Sequence, residues 1–480
     1  LAAATAEEGS YQRHLFAEDT ARGLAFIDVC RERYDVVVMN PPFGDAPDAV
    51  KSSIAAQYPD MSGNVLCAFI ESSKERVTSR GLIASVIDRT ILMKNSYEEF
   101  RRNVLLGHKP LIAAAELGWG VLDANVEVAV IVVTNSESTT AEDIFVAPLG
   151  AESDKATALQ RLTDHPLYFR LRVFRRMPFA AITLQIPQFF LSSLIRMPSL
   201  STAYGSFYNG NTIKSDTFKR LSWEVPPEQY STIWKRMWNG SEYSPYYVPM
   251  QEVVLSCRYA GGLENHATTI VRNPSRHELP GLCFGKRGEY LDVQILPAGF
   301  VLTNEGFGGP FKDSDNTWFV LGALNSRVVQ YMVNLYTGQH KGVGYVGQVP
   351  LPTADTAQLE QVGQLAHQLY LTLRNAHQAY ETDPLFVGPF TELSDGNCSA
   401  QALSLAYTGQ QSKCEKDASQ LDDMVARLFQ INGEELDLVL QSTTNRPKPS
   451  FFLLPSDISV GELDSFFSNS ILAYALGCTV

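Results

Sequence analysis

The chain has 480 residues, of which 45% are hydrophobic and 19% charged, a composition that supports roughly two to four globular domains. It excludes collagen-like, low-complexity and largely disordered proteins. The seven cysteines show no CxxC or Cys/His spacing of a metal site, so no metal is expected. Their scattered positions predict reduced thiols and therefore an intracellular, cytoplasmic protein. No apolar run reaches the roughly 18 residues of a membrane-spanning helix, so no membrane partner is expected.

The net charge of −13 is unevenly distributed along the chain. Residues 1–154 carry a net charge of −10, residues 155–350 of +7 and residues 351–480 of −10. A basic middle between acidic ends favours polyanion binding by the middle. Ordinary variation of charge along a chain is the alternative explanation.

The first 150 residues alternate strand and helix patterns. Tyr34–Met39 is a β-branched apolar run that stops at prolines, which predicts a buried parallel strand. Helical spacing follows at 64–79 and 96–106, and strand patterns lie at 81–87, 111–117 and 126–134. This order indicates an α/β fold with half of an open, Rossmann-like sheet, whose last strand is antiparallel.

The rest of the chain has a different pattern. Short strand-like pieces interrupted by Gly, Asn and Pro predict an irregular α+β domain over 151–355. A helical region is expected over 356–480. Within it we predict amphipathic helices at 357–380 and 415–430, a loop at 383–413 and a linker at 442–450.

The tetrapeptide Asn40-Pro41-Pro42-Phe43 directly follows the first predicted strand. Ligands of open α/β sheets bind beyond the carboxyl ends of the strands. An Asn side-chain oxygen and the Pro41 carbonyl can accept the two N–H bonds of an adenine amine and so free its lone pair for attack on a methyl group. The prolines stiffen the loop, and Phe43 offers a flat face to a base that has been flipped out of duplex DNA. A rigid strand-to-loop turn is the structural alternative.

These residues resemble the N6-adenine DNA methyltransferases whose cofactor motif comes first, the Asn-Pro-Pro-aromatic motif second and the target-recognition domain last. The similarity continues through Asn64–Glu71, Gly81–Thr90, Ser96–Arg102 and the strand pair at 118–133. Later segments resemble large restriction–modification enzymes and the phage-defence methyltransferases of BREX and DISARM systems: residues 204–225, 321–326, 345–352 and 472–478.

The resemblance implies a partial Rossmann-like methyltransferase sheet over 1–150, a target-recognition domain over 151–355 and a helical C-terminal region over 356–480. It implies S-adenosylmethionine as methyl donor, with Asn40, Pro41, Pro42 and Phe43 as catalytic residues. Duplex DNA is the implied partner, and other subunits of a defence system are left open.

One departure concerns the cofactor. The family holds S-adenosylmethionine with a glycine-rich loop well before its Asn-Pro-Pro-aromatic motif, and the 39 residues before Asn40 contain no such loop. Asp19 and Asp28 are the candidate cofactor ligands, with solvated acids as the alternative. The chain also begins with Leu, and we interpret it as the C-terminal portion of a longer methyltransferase.

Basic residues of the middle region are the candidates for DNA contacts, with a solvated surface as the alternative. They are Arg170, Arg172, Arg175, Arg176, Lys214, Lys219, Arg220, Lys286 and Arg287. Gly306, Gly308 and Gly309 form either a phosphate-approaching loop or a plain turn.

The preferred hypothesis is a site-specific adenine-N6 DNA methyltransferase of a restriction–modification or phage-defence system. A non-catalytic DNA-binding or assembly subunit that keeps the fold is the alternative from another class. Methylation of RNA or of a protein glutamine amide also suits the motif, but the large basic, aromatic middle region favours DNA.

Overall fold

The computed structural model describes residues 20–21, 23–25, 27–29, 31–61, 63–108, 110–123, 126–136, 143–213, 216–230, 232–255, 269–311, 316–353, 356–378, 383–386, 399–447 and 458–477. The chain forms two compact units, Leu1–Gln185 and Ile186–Val480. The predicted functional division into 1–150, 151–355 and 356–480 stays a prediction, because these units are defined by contacts and not by role.

A six-stranded sheet forms the centre of the first unit, in the order β1-β2-β4-β3-β5-β6. Its strands are β1 (Tyr34–Met39), β2 (Val77–Asp88), β3 (Leu111–Gly118), β4 (Val128–Thr134), β5 (Asp143–Pro148) and β6 (Tyr168–Arg170). β1 pairs parallel with β2, β4 is antiparallel to both β2 and β3, and β5 is parallel to β3. The predicted antiparallel strand is therefore confirmed.

Short helices connect these strands. They are α1 (Asp48–Gln57), α2 (Val65–Ser73), α3 (Thr90–Met93), α4 (Glu98–Phe100, continued by a π-helix at Arg101–His108), α5 (Lys155–Asp164) and α6 (Leu171–Arg176). α2 buries Leu66, Cys67 and Ile70. The side chains of β2 alternate between buried and half-buried from Gly81 to Asp88, as expected for a central strand with one well-covered face.

The predicted burial of β1 is wrong. Val36 is 54% exposed and Val38 is 77% exposed. β1 is the outermost strand of the sheet and pairs only with β2 in the described part of the chain. A run of β-branched residues reports strand propensity, but it does not report whether another element covers the strand.

Small sheets and helices build the second unit. The strands are β7 (Thr212–Ile213), β8 (Lys219–Leu221), β9 (Trp234–Trp238), β10 (Glu252–Leu255), β11 (Thr269–Ile270), β12 (Gly281–Gly285), β13 (Val293–Leu296), β14 (Phe300–Leu302) and β15 (Gly306–Gly309). They form sheets in the orders β14-β9-β10-β8, β13-β12-β15 and β11-β7. The strand pairs are antiparallel except for β14, which pairs parallel with β9. Trp238, Cys283, Leu296, Phe300 and Leu302 share one core.

The helices of the second unit are α7 (Gln188–Arg196), α8 (Leu200–Ala203), α9 (Thr317–Asn325), α10 (Arg327–Asn334), α11 (Val343–Gly347), α12 (Thr356–His377), α13 (Ala400–Leu428), α14 (Gly433–Ser442) and α15 (Val460–Gly477). α12 packs on α9 and α13, and α13 packs on α15. The predicted loop at 383–413 is wrong from Ala400 onward, because α13 begins there and buries Leu403 and Tyr407. The mixed α/β class is confirmed, and no helix among the described residues is long and apolar enough to cross a bilayer.

Candidate active site

The motif loop, Asn40–Phe43, begins directly after β1. Asn40 and Pro42 are exposed, Pro41 is buried and Phe43 is half-buried. The side chain of Asn40 makes no hydrogen bond to any residue that the structure describes, so its carbonyl oxygen is available to a ligand. The buried proline anchors the loop, while the amide and part of the aromatic ring are accessible.

The chain after the motif loop is fastened to the start of α2. The Val65 N–H donates to the Gly44 carbonyl over 2.9 Å, and the Ala46 N–H donates to the Gly63 carbonyl over 3.1 Å. Gly44 has φ +115°, a conformation that only glycine adopts without strain. This two-bond clip fixes where the chain goes after Phe43.

Asn64 connects this clip to a second segment. Its side-chain oxygen accepts from the Leu66 N–H at 2.9 Å and caps α2, and its side-chain N–H donates to the Tyr97 hydroxyl at 2.9 Å. Both side chains are buried, and burial raises the pKa of Tyr97. The tyrosine therefore stays neutral and serves as a fixed hydrogen-bond partner.

An ion-pair cluster lies at the same edge of the sheet as the motif loop. β1, β2 and β3 run parallel, so their carboxyl ends meet at one edge. There Arg89 forms an ion pair with Glu116 and a second, at 3.1 Å, with Glu127. Burial raises the pKa of Glu116, and the neighbouring Arg89 opposes this effect. We call Arg89, Glu116 and Glu127 the edge cluster.

A fully buried arginine holds the segment that follows β2. Arg101 donates to the backbone carbonyls of Ile91 at 2.6 Å and Lys94 at 2.9 Å. It also reaches the carbonyls of Phe179 at 2.9 Å and Ala180 at 3.2 Å. One side chain thereby fastens α3 to the segment after α6, which stabilises the edge of the sheet that carries the motif loop.

Of the two candidate cofactor ligands, Asp19 and Asp28, the structure describes only Asp28. Asp19 lies outside the described residues. Asp28 is exposed among helical residues before β1, and the Tyr34 hydroxyl donates to the carbonyl of the next residue, Val29, at 2.9 Å. The residue after Asp28 is thus bonded to Tyr34, which begins β1, whereas Asn40 follows the residue that ends β1. Its role in cofactor binding stays a prediction.

The four candidate arginines of the first unit lie on β6 and α6 and are all exposed. Arg170 lies 3.9 Å from Asp143, and Arg175 donates to the Leu106 carbonyl at 3.0 Å. The guanidinium groups of Arg172 and Arg176 make no hydrogen bond or ion pair with other described residues. These two have the freest guanidinium groups of the set.

The remaining candidates belong to the second unit. Lys219 pairs with Asp216 at 3.2 Å, and Arg220 lies over the Trp234 ring at 5.8 Å. Glu305 pairs with both Lys286 at 3.0 Å and Arg287 at 2.9 Å, so part of their charge is already neutralised. Lys214 lies outside the described residues. DNA contact by any of the nine stays a prediction.

Sequence reasoning assigned no role to Asn64, Tyr97 and Arg101. Asn64 had a usable signal, because an Asn directly before an apolar helical run is a strong N-cap. Arg101 had none, since a charged residue in a helix is ordinarily expected at the surface.

Comparisons with known proteins agree with the resemblance that the motif loop indicates. No protein-family model matches the chain. It is 22% identical over 360 residues to the adenine-specific methyltransferase BrxX of Escherichia coli O9:H4 (strain HS), a match that covers 69% of this chain and 28% of that protein. The chain thus spans less than a third of this relative's length.

A solved structure shows the fold. The type IIL restriction–modification enzyme MmeI, solved in complex with DNA, superposes with a TM-score of 0.51 over 85% of this chain and 57% of MmeI, at 11% identity. The resemblance inferred from Asn40–Phe43 is therefore confirmed: this chain is related in sequence to an adenine-specific methyltransferase and shares the fold of a restriction–modification enzyme.

Proposed function

We propose that this chain forms the target-amine side of a site-specific adenine-N6 DNA methyltransferase of a restriction–modification or phage-defence system. The observation that carries the proposal is the exposed Asn40 amide, which bonds to no described residue and is placed by a buried proline at the carboxyl end of β1. The sequence relationship to an adenine-specific methyltransferase supports the choice of adenine.

The proposed chemistry belongs to Asn40 and Pro41. The Asn40 oxygen and the Pro41 carbonyl each accept one N–H of the adenine amine, which withdraws the nitrogen lone pair from the ring and directs it toward the methyl donor. Pro41 has no N–H of its own to compete for these acceptors. Phe43, which is half-buried, stacks on the base through its accessible face.

Rigid support makes these acceptors effective. Donors and acceptors that are already in place need no reorganisation when charge develops, and this preorganisation is a large part of enzymatic rate enhancement. The clip between Gly44 and Val65 and the bond from Asn64 to Tyr97 provide such support. Asn64 is therefore a positioning residue in this proposal.

S-adenosylmethionine is the proposed cofactor and would supply the methyl group. The described residues do not assemble a complete site for it, because Asp28 lies at the opposite end of β1 from Asn40.

Duplex DNA is the proposed substrate. The exposed arginines of β6 and α6 and the basic residues of β8 are the proposed phosphate contacts. A base must leave the helix to reach Asn40, because its amine is otherwise paired within the duplex.

The test is methyl transfer by the natural gene product that contains this chain. Duplex DNA is incubated with methyl-labelled S-adenosylmethionine, and the modified base is identified by mass spectrometry. We expect N6-methyladenine from the wild type and none from Asn40→Ala, with DNA affinity changed less than about threefold because one neutral side chain makes no phosphate contact. Asn103→Ala, which removes an exposed amide bonded to Asp60, is the control and should retain activity. Full activity of Asn40→Ala would refute the assignment.

A further inference from the structure

A cavity of about 750 Å³ lies on one face of the β14-β9-β10-β8 sheet in the second unit. This volume is typical of sites for small organic ligands. Neither the motif loop nor the edge cluster contributes to it, because both belong to the first unit. The cavity is therefore separate from the site proposed for methyl transfer.

The floor of the cavity is one lateral row of the sheet. Arg236 on β9 pairs with Val253 of β10 on one side and with Phe300 of β14 on the other. Side chains of directly paired residues project from the same face, and all three line the cavity. The floor thus combines an aliphatic side chain, an aromatic ring and a guanidinium group.

Aromatic rings form the walls. Tyr230, Trp223, Tyr247 and Tyr370 all line the cavity. Tyr247 contacts Tyr370 edge-on at 5.9 Å between ring centroids, which fixes one wall, while Trp223 is 54% exposed at the other. Flat rings around a space of this size suit a flat ligand, since nucleobases stack favourably on aromatic side chains whatever their identity.

Arg236 is oriented for an anion. Its guanidinium lies 5.7 Å from the Tyr230 ring centroid and 5.9 Å from that of Phe300. It forms no ion pair with any residue in the described ranges, although the side chain is exposed. A guanidinium that lies next to aromatic rings and forms no ion pair with a described carboxylate is suited to a phosphate.

A buried carboxylate supplies the second polar contact. Asp383 is only 4% exposed, and it accepts from the Tyr247 hydroxyl at 2.8 Å and from the Leu385 N–H at 2.7 Å. Burial raises the pKa of Asp383 and the charge of Arg374 opposes this effect, although no described lysine or arginine forms an ion pair with Asp383. Each carboxylate oxygen retains a lone pair, so Asp383 can accept further N–H bonds from a ligand.

We propose that this cavity binds a nucleotide whose base carries an exocyclic amino group, with the base between the aromatic walls, its amine on Asp383 and its phosphate on Arg236. Thymine is disfavoured because it offers one N–H between two carbonyl oxygens, which would face the carboxylate. Guanine is favoured because its ring N–H and amino group are adjacent and can both donate to one carboxylate.

Two sources could supply this nucleotide, a free mononucleotide or a base from a DNA strand. Only the DNA source rests on the DNA binding proposed above. The site uses no residue of the motif loop, so the Asn40→Ala methylation experiment and the nucleotide experiment can fail independently.

The test measures binding of dGMP, dAMP, dCMP and dTMP to the chain by calorimetry, with quenching of a 2-aminopurine-labelled single-stranded oligonucleotide as a second arm. We expect dGMP to bind at least about tenfold more tightly than dTMP, in line with the value of a bidentate contact. Binding of dGMP without quenching identifies a free nucleotide as the source. Quenching that depends on Arg236 and Asp383 identifies a DNA base.

The variants are Asp383→Asn and Arg236→Gln, with Asp437→Asn, an exposed acid on α14, as the control. Asp383→Asn should remove the preference for dGMP over dTMP, and Arg236→Gln should weaken all mononucleotides by a similar factor. Thermal melts establish that each variant is folded. Equal affinity for dGMP and dTMP in the wild type, or absence of both binding and quenching, would overturn the proposal.

Discussion

The side-chain N–H of Asn64 donates to the Tyr97 hydroxyl at 2.9 Å, across 33 positions of sequence. The same asparagine caps α2, whose first turn receives the clip from Gly44. One buried side chain therefore connects the start of α2 to Tyr97, while the backbone bonds to Gly44 and Ala46 connect it to the chain that follows the motif loop.

The first prediction concerns this pair. Asn64→Ala should lower the free energy of unfolding by about 1–3 kcal/mol, because a cap and a buried hydrogen bond are lost together. Tyr97→Phe should cost less, since the cap remains. In chemical denaturation the double variant should show a coupling of about 0.5–2 kcal/mol, and strict additivity would mean that the two residues do not act together.

The second prediction concerns Arg101, which no solvent reaches. Arg101→Met should destabilise the first unit by about 3–5 kcal/mol, because several buried carbonyls lose their donor at once. Its neighbour Arg102 is exposed and pairs with Glu98 at 2.8 Å, so Arg102→Met should cost about 1 kcal/mol or less. Similar urea midpoints for the two variants would contradict the anchoring role.

The third prediction concerns the glycines of β15. A Cβ at Gly309 would overlap the Ser206 carbonyl oxygen, which is backbone and cannot rotate away. Gly309→Ala should therefore destabilise the second unit by about 1–3 kcal/mol or more. Gly338 is exposed with open space at its Cβ position, so Gly338→Ala should leave the melting temperature nearly unchanged. Equal melting temperatures for Gly309→Ala and Gly338→Ala would show that β15 can move away from Ser206 to accept a side chain.

The fourth prediction concerns Asp292. Burial raises the pKa of this carboxyl to about 7, against the opposing hydrogen bonds from the Ser244 N–H and the Gln294 amide. A folded-state pKa above the unfolded value means that the folded protein holds the proton more tightly, so this group's contribution to stability falls as the pH rises from about 4 to about 7.

Asp292→Asn should remove that dependence. Both hydrogen bonds reach the same oxygen, Oδ2, which an asparagine oxygen can replace. As the pH rises from 4 to 7, the wild type should therefore lose unfolding free energy relative to the variant. Urea titration at each pH measures this difference. Parallel pH profiles would mean that Asp292 does not titrate in this window.

The sequence was sufficient to predict β1 to β4 of the first unit and the position of the motif loop, but not the strands β5 and β6. Short β-branched runs between prolines and glycines carry enough information for that. It was insufficient for what covers β1, because burial depends on neighbours that the run itself does not encode. It also missed the start of α13, where Leu403 and Tyr407 keep helical spacing but lie among Ser, Gln and Thr.

The residues of the candidate site also fall into those that the sequence predicts and those that it does not. Asn40–Phe43 was predicted because its chemistry is local, four consecutive residues at a strand end. Arg101 was not, because its role depends on carbonyls of Ile91 and Ala180, far from it in sequence. Such backbone acceptors exist at one place only after the fold has formed.

The glycine-bearing strand β15 has a consequence for how the second unit can diversify. At Gly306 and Gly309 the backbone touches the backbone of neighbouring segments, so these positions accept no side chain whatever a new target requires. Exposed positions such as Trp223 and Arg236 have no such limit. Sequence change in the second unit should therefore spare Gly306 and Gly309 and accumulate at exposed positions such as those around the aromatic cavity.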